Sequence, residues 1–448
     1  MNMTQHTTQK LGDICRIEKG RTGIASSAPG EYPLVVTAEE RKTCNTYQFD
    51  CEAVCIPLVS SSGHGKKSLK NVHYQSGKFA LGSILCAVIP KNPQEVNARY
   101  LHQYLQFYKD TLLVPLMKGA ANVSLSMRDI ANVEVPLPDF DTQAALAKIF
   151  VEAQEKQKRL NAEFEKQTEY AKRLRQNILQ EAIEGKLTAE WRKTHPAIKG
   201  NPDFDAQALF EQIQKEKEGN AFPCGRTPSR PTPSAGSNAA RNARLENDQP
   251  FEIPDSWKWV SLNAISTDIL YGVNKPAKEF GKYKLLRITD IQNNKVEWDK
   301  VPYTNFDEKK VLPYLLKKGD VLFARTGGTV GKSYLVEDCP NNAIYASYLI
   351  KVQLSKNIDY KYIKYFFESH FYWSQVFDNV SGSGQPNCNG TKLSNLNLPL
   401  PPLAEQKEIV TKIESLLANV TELENQIQER KKMIAKLVYC VIKEKLER

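Results

Sequence analysis

The apolar positions of this chain form two long stripes, and the second repeats the first. Near the end of the chain Ile413, Leu416, Val420, Leu423, Ile427, Ile434, Leu437 and Val441 advance in steps of three and four. That is the spacing of a heptad seam on a helix that pairs. In mid-chain Phe150, Ala153, Leu160, Phe164, Ala171, Leu174 and Ile178 do the same, in the same register once 263 is added to each number. A polar interruption repeats too, with Gln167 and Arg430 on matching seam positions, where the spacing predicts polar layers that fix the pairing. Each stripe also has the same lead-in: Val135-Pro136-Leu137-Pro138 before the first, Leu398-Pro399-Leu400-Pro401 before the second. Asn132 answers Asn395, Pro136 answers Pro399 and Gln143 answers Gln406 at that one offset. A single amphipathic helix can show heptads by chance. Two in one register after one lead-in indicate an internal duplication.

Shorter patterns fill the space before each stripe. Glu31–Thr37, Val54–Val59 and Ile84–Ile89 read as strands, and Ala98–Tyr108 as a helix whose Tyr100, Leu101, Tyr104, Leu105 and Tyr108 share a buried face. Lys361–Phe367 repeats that aromatic helix, Tyr362 matching Tyr100. Between these shared parts the two segments have little visible in common, which suits two inserts that read different things. The expected class is α+β: two globular α/β domains joined by two long antiparallel coiled-coil helices in a pseudo-two-fold internal repeat. The expected divisions are a first domain over 1–141, a central helix over 142–194 ending at Gly185 as C-cap, a linker with a short helix over 195–250, a second domain over 251–402 and a distal helix over 403–448. Residues 223–242 are rich in Pro, Ser, Gly and Arg and read as a flexible connection. A linker of about 55 residues spans roughly 40 Å, short of the roughly 65 Å of the helix, so the second helix is expected to return antiparallel.

Composition narrows the class. A chain of 448 residues suits two or three domains, and its net charge of +10 is compatible with a polyanionic partner. Nine cysteines lie scattered with no Cys-x-x-Cys pair, which argues against zinc and for reduced thiols in a cytoplasmic protein. No apolar run reaches bilayer length.

Several loops carry hydrogen-bond donors. The stretch Arg325-Thr326-Gly327-Gly328-Thr329-Val330-Gly331-Lys332-Ser333 invites comparison with a phosphate-binding loop. Its first glycine position is taken by Thr326, however, and Tyr334-Leu335-Val336 reads as strand where that motif needs a helix. A glycine-rich turn offering Arg325, Thr326, Thr329 and Lys332 to DNA fits better. Its first-segment counterpart is Ser61, Ser62, His64, Lys66 and Lys67. Arg21 and Thr22 after Gly20 answer Asn274 and Lys275 after Gly272, and Lys118 and Asn122 answer Gln385 and Asn387, with Asn389 close by. Amides and guanidinium groups read base edges, though they also form ordinary turns. No adenine-methylation motif, methyl-donor loop, nuclease carboxylate set or nucleophile elbow is present, and the six histidines are dispersed. The chain is expected to catalyse nothing itself.

These features together resemble the specificity (S) subunits of Type I restriction–modification enzymes. The likeness covers nearly the whole chain. It rests on the alternation of variable segment and helix, on Pro399-Leu400-Pro401-Pro402-Leu403-Ala404-Glu405-Gln406, on Gln176-Asn177-Ile178-Leu179-Gln180-Glu181-Ala182-Ile183-Glu184-Gly185-Lys186-Leu187-Thr188, on Ile253-Pro254-Asp255-Ser256-Trp257-Lys258-Trp259 and on the Arg325–Lys332 loop. The first copy departs from it at Pro138-Asp139-Phe140-Asp141, and its loop has serines where the second has Arg325. The resemblance implies two target-recognition domains, each reading half of a bipartite site in double-stranded DNA. It implies a helix pair that sets the spacing and docks two methyltransferase subunits, with restriction/translocase subunits joining them. S-adenosylmethionine, ATP and magnesium then belong to those partners, with no cofactor or metal in this chain. The contrasting class is a coiled-coil scaffold whose globular ends bind proteins and select no DNA sequence. A nucleotide-using enzyme built on Lys332 is the other alternative.

Overall fold

The computed structural model describes residues 8–62, 65–219, 250–380 and 388–447. The proline- and arginine-rich stretch at 223–242, His64, Gln385 and Asn387 lie outside the described residues. The chain divides into two compact units, one of Met1–Lys166 with Gln428–Arg448, the other of Gln167–Ile427.

In the first unit the main sheet is four-stranded and antiparallel, in the order Cys15–Lys19, Leu85–Pro90, Ala53–Pro57, His73–Gln75. A second sheet runs Lys42–Cys44, Tyr32–Val35, Lys78–Leu81, Phe49–Asp50, with a parallel pair at its centre. The expected aromatic helix is Ala98–Leu112, its first amides capped by the Asn97 side chain. Its Tyr100 is core, with the hydroxyl donating to the Pro136 carbonyl at 2.9 Å.

The second unit repeats this plan. Its main sheet runs Ser266–Tyr271, Leu349–Leu354, Val321–Ala324, Ser333–Leu335, again antiparallel, and a parallel pair joins Tyr283–Leu286 to Ala343–Tyr345. Tyr362, on a helix capped by Asp359, donates to the Pro399 carbonyl at 2.8 Å. The two globular segments therefore share a sheet order that the sequence comparison missed. The reason is burial: Ala53–Pro57, Leu85–Pro90 and Val321–Ala324 are buried at every position, so no polar–apolar alternation marks their register. Copies of such strands can diverge freely among apolar residues.

The long helices are Phe140–Ile183 and Leu403–Glu447. Within each unit they run antiparallel. In the first, Lys431 pairs with Glu165 at 2.6 Å, and Ile442 joins the core around Phe150. In the second, Arg175 reaches Glu424 at 3.4 Å, and Ile413, Leu417 and Val420 pack with Ala171, Ile178 and Leu179. The seam departs from a strict heptad. Leu174, Leu423, Leu437 and Val441 are exposed, while Val438 and Ile442 turn inward. A straight helix drifts by about 20° per heptad from a 3.5-residue repeat, and the globular cores capture the residues that drift toward them. Arg430 is exposed and Gln167 half-buried, so the expected pair of buried polar layers does not form.

The first long helix ends at a Schellman motif. Gly185 has φ +72°, its amide donates to Ala182 O, and the Lys186 amide to Glu181 O. A Cβ at Gly185 would lie 2.6 Å from Pro254. Beyond it, within the second unit, Ala206–Gly219 packs on the core through Leu209 and Ile213, and Ala189–Thr194 is tied in by the Arg192–Glu405 ion pair. Among the described residues no helix is long and apolar enough to cross a membrane, and no group of three or more His, Cys, Asp or Glu side chains could hold a metal ion.

Candidate DNA-reading tips

At one end of each main sheet the strands run out into loops, and the same backbone hydrogen bonds tie those loops together. In the first unit Thr22 N donates to Leu81 O at 3.0 Å, and Ser83 N donates to Thr22 O at 2.9 Å. Leu58 N donates to Ile84 O at 2.8 Å, and Leu58 O accepts from Leu125 N at 2.9 Å. In the second unit Val273 N donates to Tyr345 O at 2.9 Å, and Ser347 N to Val273 O at 3.0 Å. Arg325 N donates to Tyr348 O at 3.1 Å, and Arg325 O accepts from Cys388 N at 3.0 Å. Glycine is required where the first loop crosses: a Cβ on Gly20 or on Gly272 would come within 2.2 Å of a carbonyl oxygen, of Gly82 or of Ala346.

These bonds fix which residues correspond. Pro57 and Ala324 pair with Leu85 and Leu349 in the ladders, so Leu58 stands where Arg325 stands and Ile84 where Tyr348 stands. The serines of the first loop come after that place, not at it. Val273 takes the place of Thr22, which puts Asn274 and Lys275 beyond the position matched to Arg21 and Thr22.

The first tip gathers Arg21, Thr22, Ser61, Ser62, Lys66, Lys67, Lys118 and Asn122 around one sheet end. Arg21, Lys66, Lys67 and Asn122 have exposed side chains. Thr22 is half-buried and contributes through its backbone. Ser61 Oγ accepts from Lys70 N at 2.9 Å and Ser62 Oγ meets Ser68 Oγ at 2.7 Å, so both hydroxyls brace their own loop. Lys118 pairs with Asp129 at 3.3 Å, which partly neutralises it.

The second tip gathers Asn274, Lys275, Arg325, Thr326, Thr329 and Lys332. Asn274, Lys275 and Lys332 are exposed. The turn at Gly327 and Gly328 is open, with no atom within 4 Å of the place a Cβ would take at either. Thr329 Oγ1 turns back to Thr326 O at 3.5 Å. Asn389 has a structural task in this loop: its side-chain oxygen accepts from Lys392 N at 2.8 Å and caps the helix Gly390–Ser394, as Ser126 caps Met127–Ala131.

Arg325 is held in an unusual way. Its guanidinium lies 4.9 Å over the Tyr271 ring, and Tyr271 is itself fixed by accepting from Gly390 N at 2.7 Å. Its buried Nε has no hydrogen-bond partner, and no ion pair engages it among the described residues. Among the described residues the charge is positioned and has no ion-pair partner.

Among the tip residues that escaped the sequence reading are Ile84, 36% exposed, and Tyr348, 62% exposed. A signal for them exists. Gly82-Ser83-Ile84-Leu85 and Ala346-Ser347-Tyr348-Leu349 share a small–Ser–large–Leu pattern.

Comparison with known proteins accords with this architecture. A model of the Type I restriction modification DNA specificity domain matches residues 4–170 and 272–430. The Type I restriction enzyme EcoKI specificity subunit of Escherichia coli K12 is 23% identical over 72% of this chain, and the match spans 58% of that protein's length. The EcoDI specificity subunit of Escherichia coli is 22% identical over 97% of this chain and 86% of its own length. Among solved structures, a chain of a type I R-M system shares the fold over 100% of this chain and 99% of its own, with 14% identity and a TM-score of 0.59. The HsdS subunit from Thermoanaerobacter tengcongensis does so over 100% and 98%, with 13% identity and a TM-score of 0.51. The chain belongs to the Type I restriction–modification specificity-subunit family, whose domain it carries twice.

Proposed function

We propose that this chain is the sequence-specific DNA-binding subunit of a Type I restriction–modification complex. Recognition domains over 1–141 and 251–402 each read one half of a bipartite target, and the long helices set the distance between the halves. The observation that carries this reading is the pair of tips. Two sheet ends tied by the same backbone bonds present different side chains, as two readers of unlike half-sites must. The net charge of +10 favours approach to a polyanion, and exposed Arg21, Lys66, Lys67, Lys275 and Lys332 surround the base-reading positions with phosphate-binding charge.

Two methyltransferase subunits dock on the helices. Support comes from an exposed apolar pair at one place in both copies: Tyr170 and Leu174, 61% and 44% exposed, match Met433 and Leu437, 69% and 60% exposed. Each pair is spaced i, i+4, on one helix face. Methylation, ATP hydrolysis and cleavage belong to the methyltransferase and restriction/translocase partners, which bring S-adenosylmethionine, ATP and magnesium. The test is selection from a randomised duplex pool by the chain together with its methyltransferase. Enrichment of an interrupted, asymmetric sequence supports the reading; an unenriched pool rejects it.

A further inference from the structure

The two tips carry unlike side chains at a place where their backbones make the same hydrogen bonds, and that difference bears on the target. We infer that the second domain reads a guanine through Arg325, and that the first domain reads a thymine at the equivalent place through Leu58 and Ile84. This rests on the proposed DNA-reading function and adds to it which bases the half-sites contain.

Arg325 meets the requirements of a guanine reader. Guanine presents O6 and N7 side by side in the major groove, two acceptors that match a guanidinium fork. The fork must be aimed before binding, because ordering a long side chain is costly in conformational entropy. Here the Tyr271 ring supports the guanidinium face at 4.9 Å and the Nε end is buried. No carboxylate pairs with it among the described residues, so no internal bond must break when DNA arrives. Tyr348, whose carbonyl accepts from Arg325 N, stands exposed beside it as a flat surface.

The first tip cannot do this. Leu58 occupies the place of Arg325, and Lys19 the place of Tyr271, since Lys19 pairs with Cys86 where Tyr271 pairs with Ile350. The fork and the ring that supports it are lost together. In their stead Ile84, 36% exposed, offers aliphatic surface, and Leu58, half-buried against the core of its unit, likewise brings no donor or acceptor. Among base edges in the major groove, thymine alone offers a methyl group, the complement of such a surface. The two half-sites should therefore differ at this position, G·C on one side and A·T on the other.

The test uses the chain assembled with its methyltransferase subunits and a randomised duplex pool, comparing enriched sequences between variants. Arg325→Leu should lower discrimination at one G·C pair in one half about tenfold to a hundredfold and leave the other half unchanged. Arg325→Lys should relax the same pair, because an ammonium keeps the charge but loses the fork. It also guards against a folding defect in the leucine variant. Ile84→Ser should relax one A·T pair in the opposite half. Unchanged preference in the arginine variants, or relaxation at an A·T pair, overturns the inference while DNA reading stands. A wild-type complex that enriches nothing removes the underlying function instead.

Discussion

The Trp257 indole donates a 2.7 Å hydrogen bond to the carboxylate of Glu405, a group only 1% exposed at the start of the second long helix. The same carboxylate accepts from Thr188 Oγ1 at 2.6 Å and pairs with the Arg192 guanidinium. Three separate stretches meet at this one acid: the short helix Ala189–Thr194 with its preceding Thr188, the Ile253–Trp259 segment and the Pro-Leu-Ala-Glu-Gln lead-in. A buried carboxylate is tolerable only when it is paired and hydrogen-bonded.

Glu405→Ala should therefore strand Arg192, Thr188 and Trp257 together. Removing one partner of a buried ion pair costs about 3–5 kcal/mol. A chain of two units need not unfold in one step, so hydrogen exchange resolved by segment is the better gauge. Protection should fall around Thr188–Thr194 and Trp257–Ser261 in the second unit and hold in the first. Equal loss in both units contradicts this local role.

Gln143 and Gln406 make a second pair of matched groups, both fully buried. Gln143 accepts from Asn97 N at 2.9 Å and donates to Glu95 O and Pro138 O. Gln406 accepts from Asp359 N at 2.9 Å and donates to Pro401 O. Each amide thus ties a long helix to the start of its domain's aromatic helix. Alanine at either position leaves those backbone groups unpaired, at about 1–3 kcal/mol for each. Gln143→Ala should be the costlier, since it strands three groups where Gln406→Ala strands two. Faster exchange of the Asn97 and Asp359 amides in the respective variants is the direct readout.

How much of this the sequence revealed depended on the kind of contact. The duplication, the aromatic helices and the Gly185 cap were legible because each rests on local spacing or on one residue's backbone preference. The common sheet order was hidden, because strands such as Ala53–Pro57 are buried throughout and carry no polar–apolar alternation. At the tips the donors of the second loop were found through its glycines. Ile84 and Tyr348 were missed because apolar residues on a loop carry no periodic mark. The match of Leu58 to Arg325 exists only in the hydrogen bonds, for nothing in two such unlike side chains suggests it.

Acid should weaken the first unit through His73. This imidazole is 5% exposed, and its pKa is pushed down to about 4, first by burial, then by the Arg41 guanidinium 3.2 Å away and by His102. In the unfolded chain a histidine titrates near 6.5. As pH falls from about 6.5 to about 4, the unfolded chain takes up the proton first, so stability is lost across that window and kept above it. The shift corresponds to about 3 kcal/mol. His102, also lowered by burial, acts in the same direction. His73→Gln should flatten the dependence of first-unit protection on pH between about 4 and 6.5. A slope identical to that of the parent chain removes His73 from the account.

The matched apolar pairs on the helices make a quantitative statement about assembly. Tyr170 and Leu174 lie in one unit, Met433 and Leu437 in the other, and all four are exposed. Surface substitutions of this kind change stability by no more than about 0.5 kcal/mol. If each pair receives one methyltransferase, Tyr170→Ser with Leu174→Ser should lower the complex from two copies to one. Met433→Ser with Leu437→Ser should do the same, and the quadruple variant should bind none. Native mass spectrometry counts the copies directly. Two copies retained by the quadruple variant, or both lost from either double variant, would place the docking surface elsewhere, because a shared contact cannot fail one copy at a time.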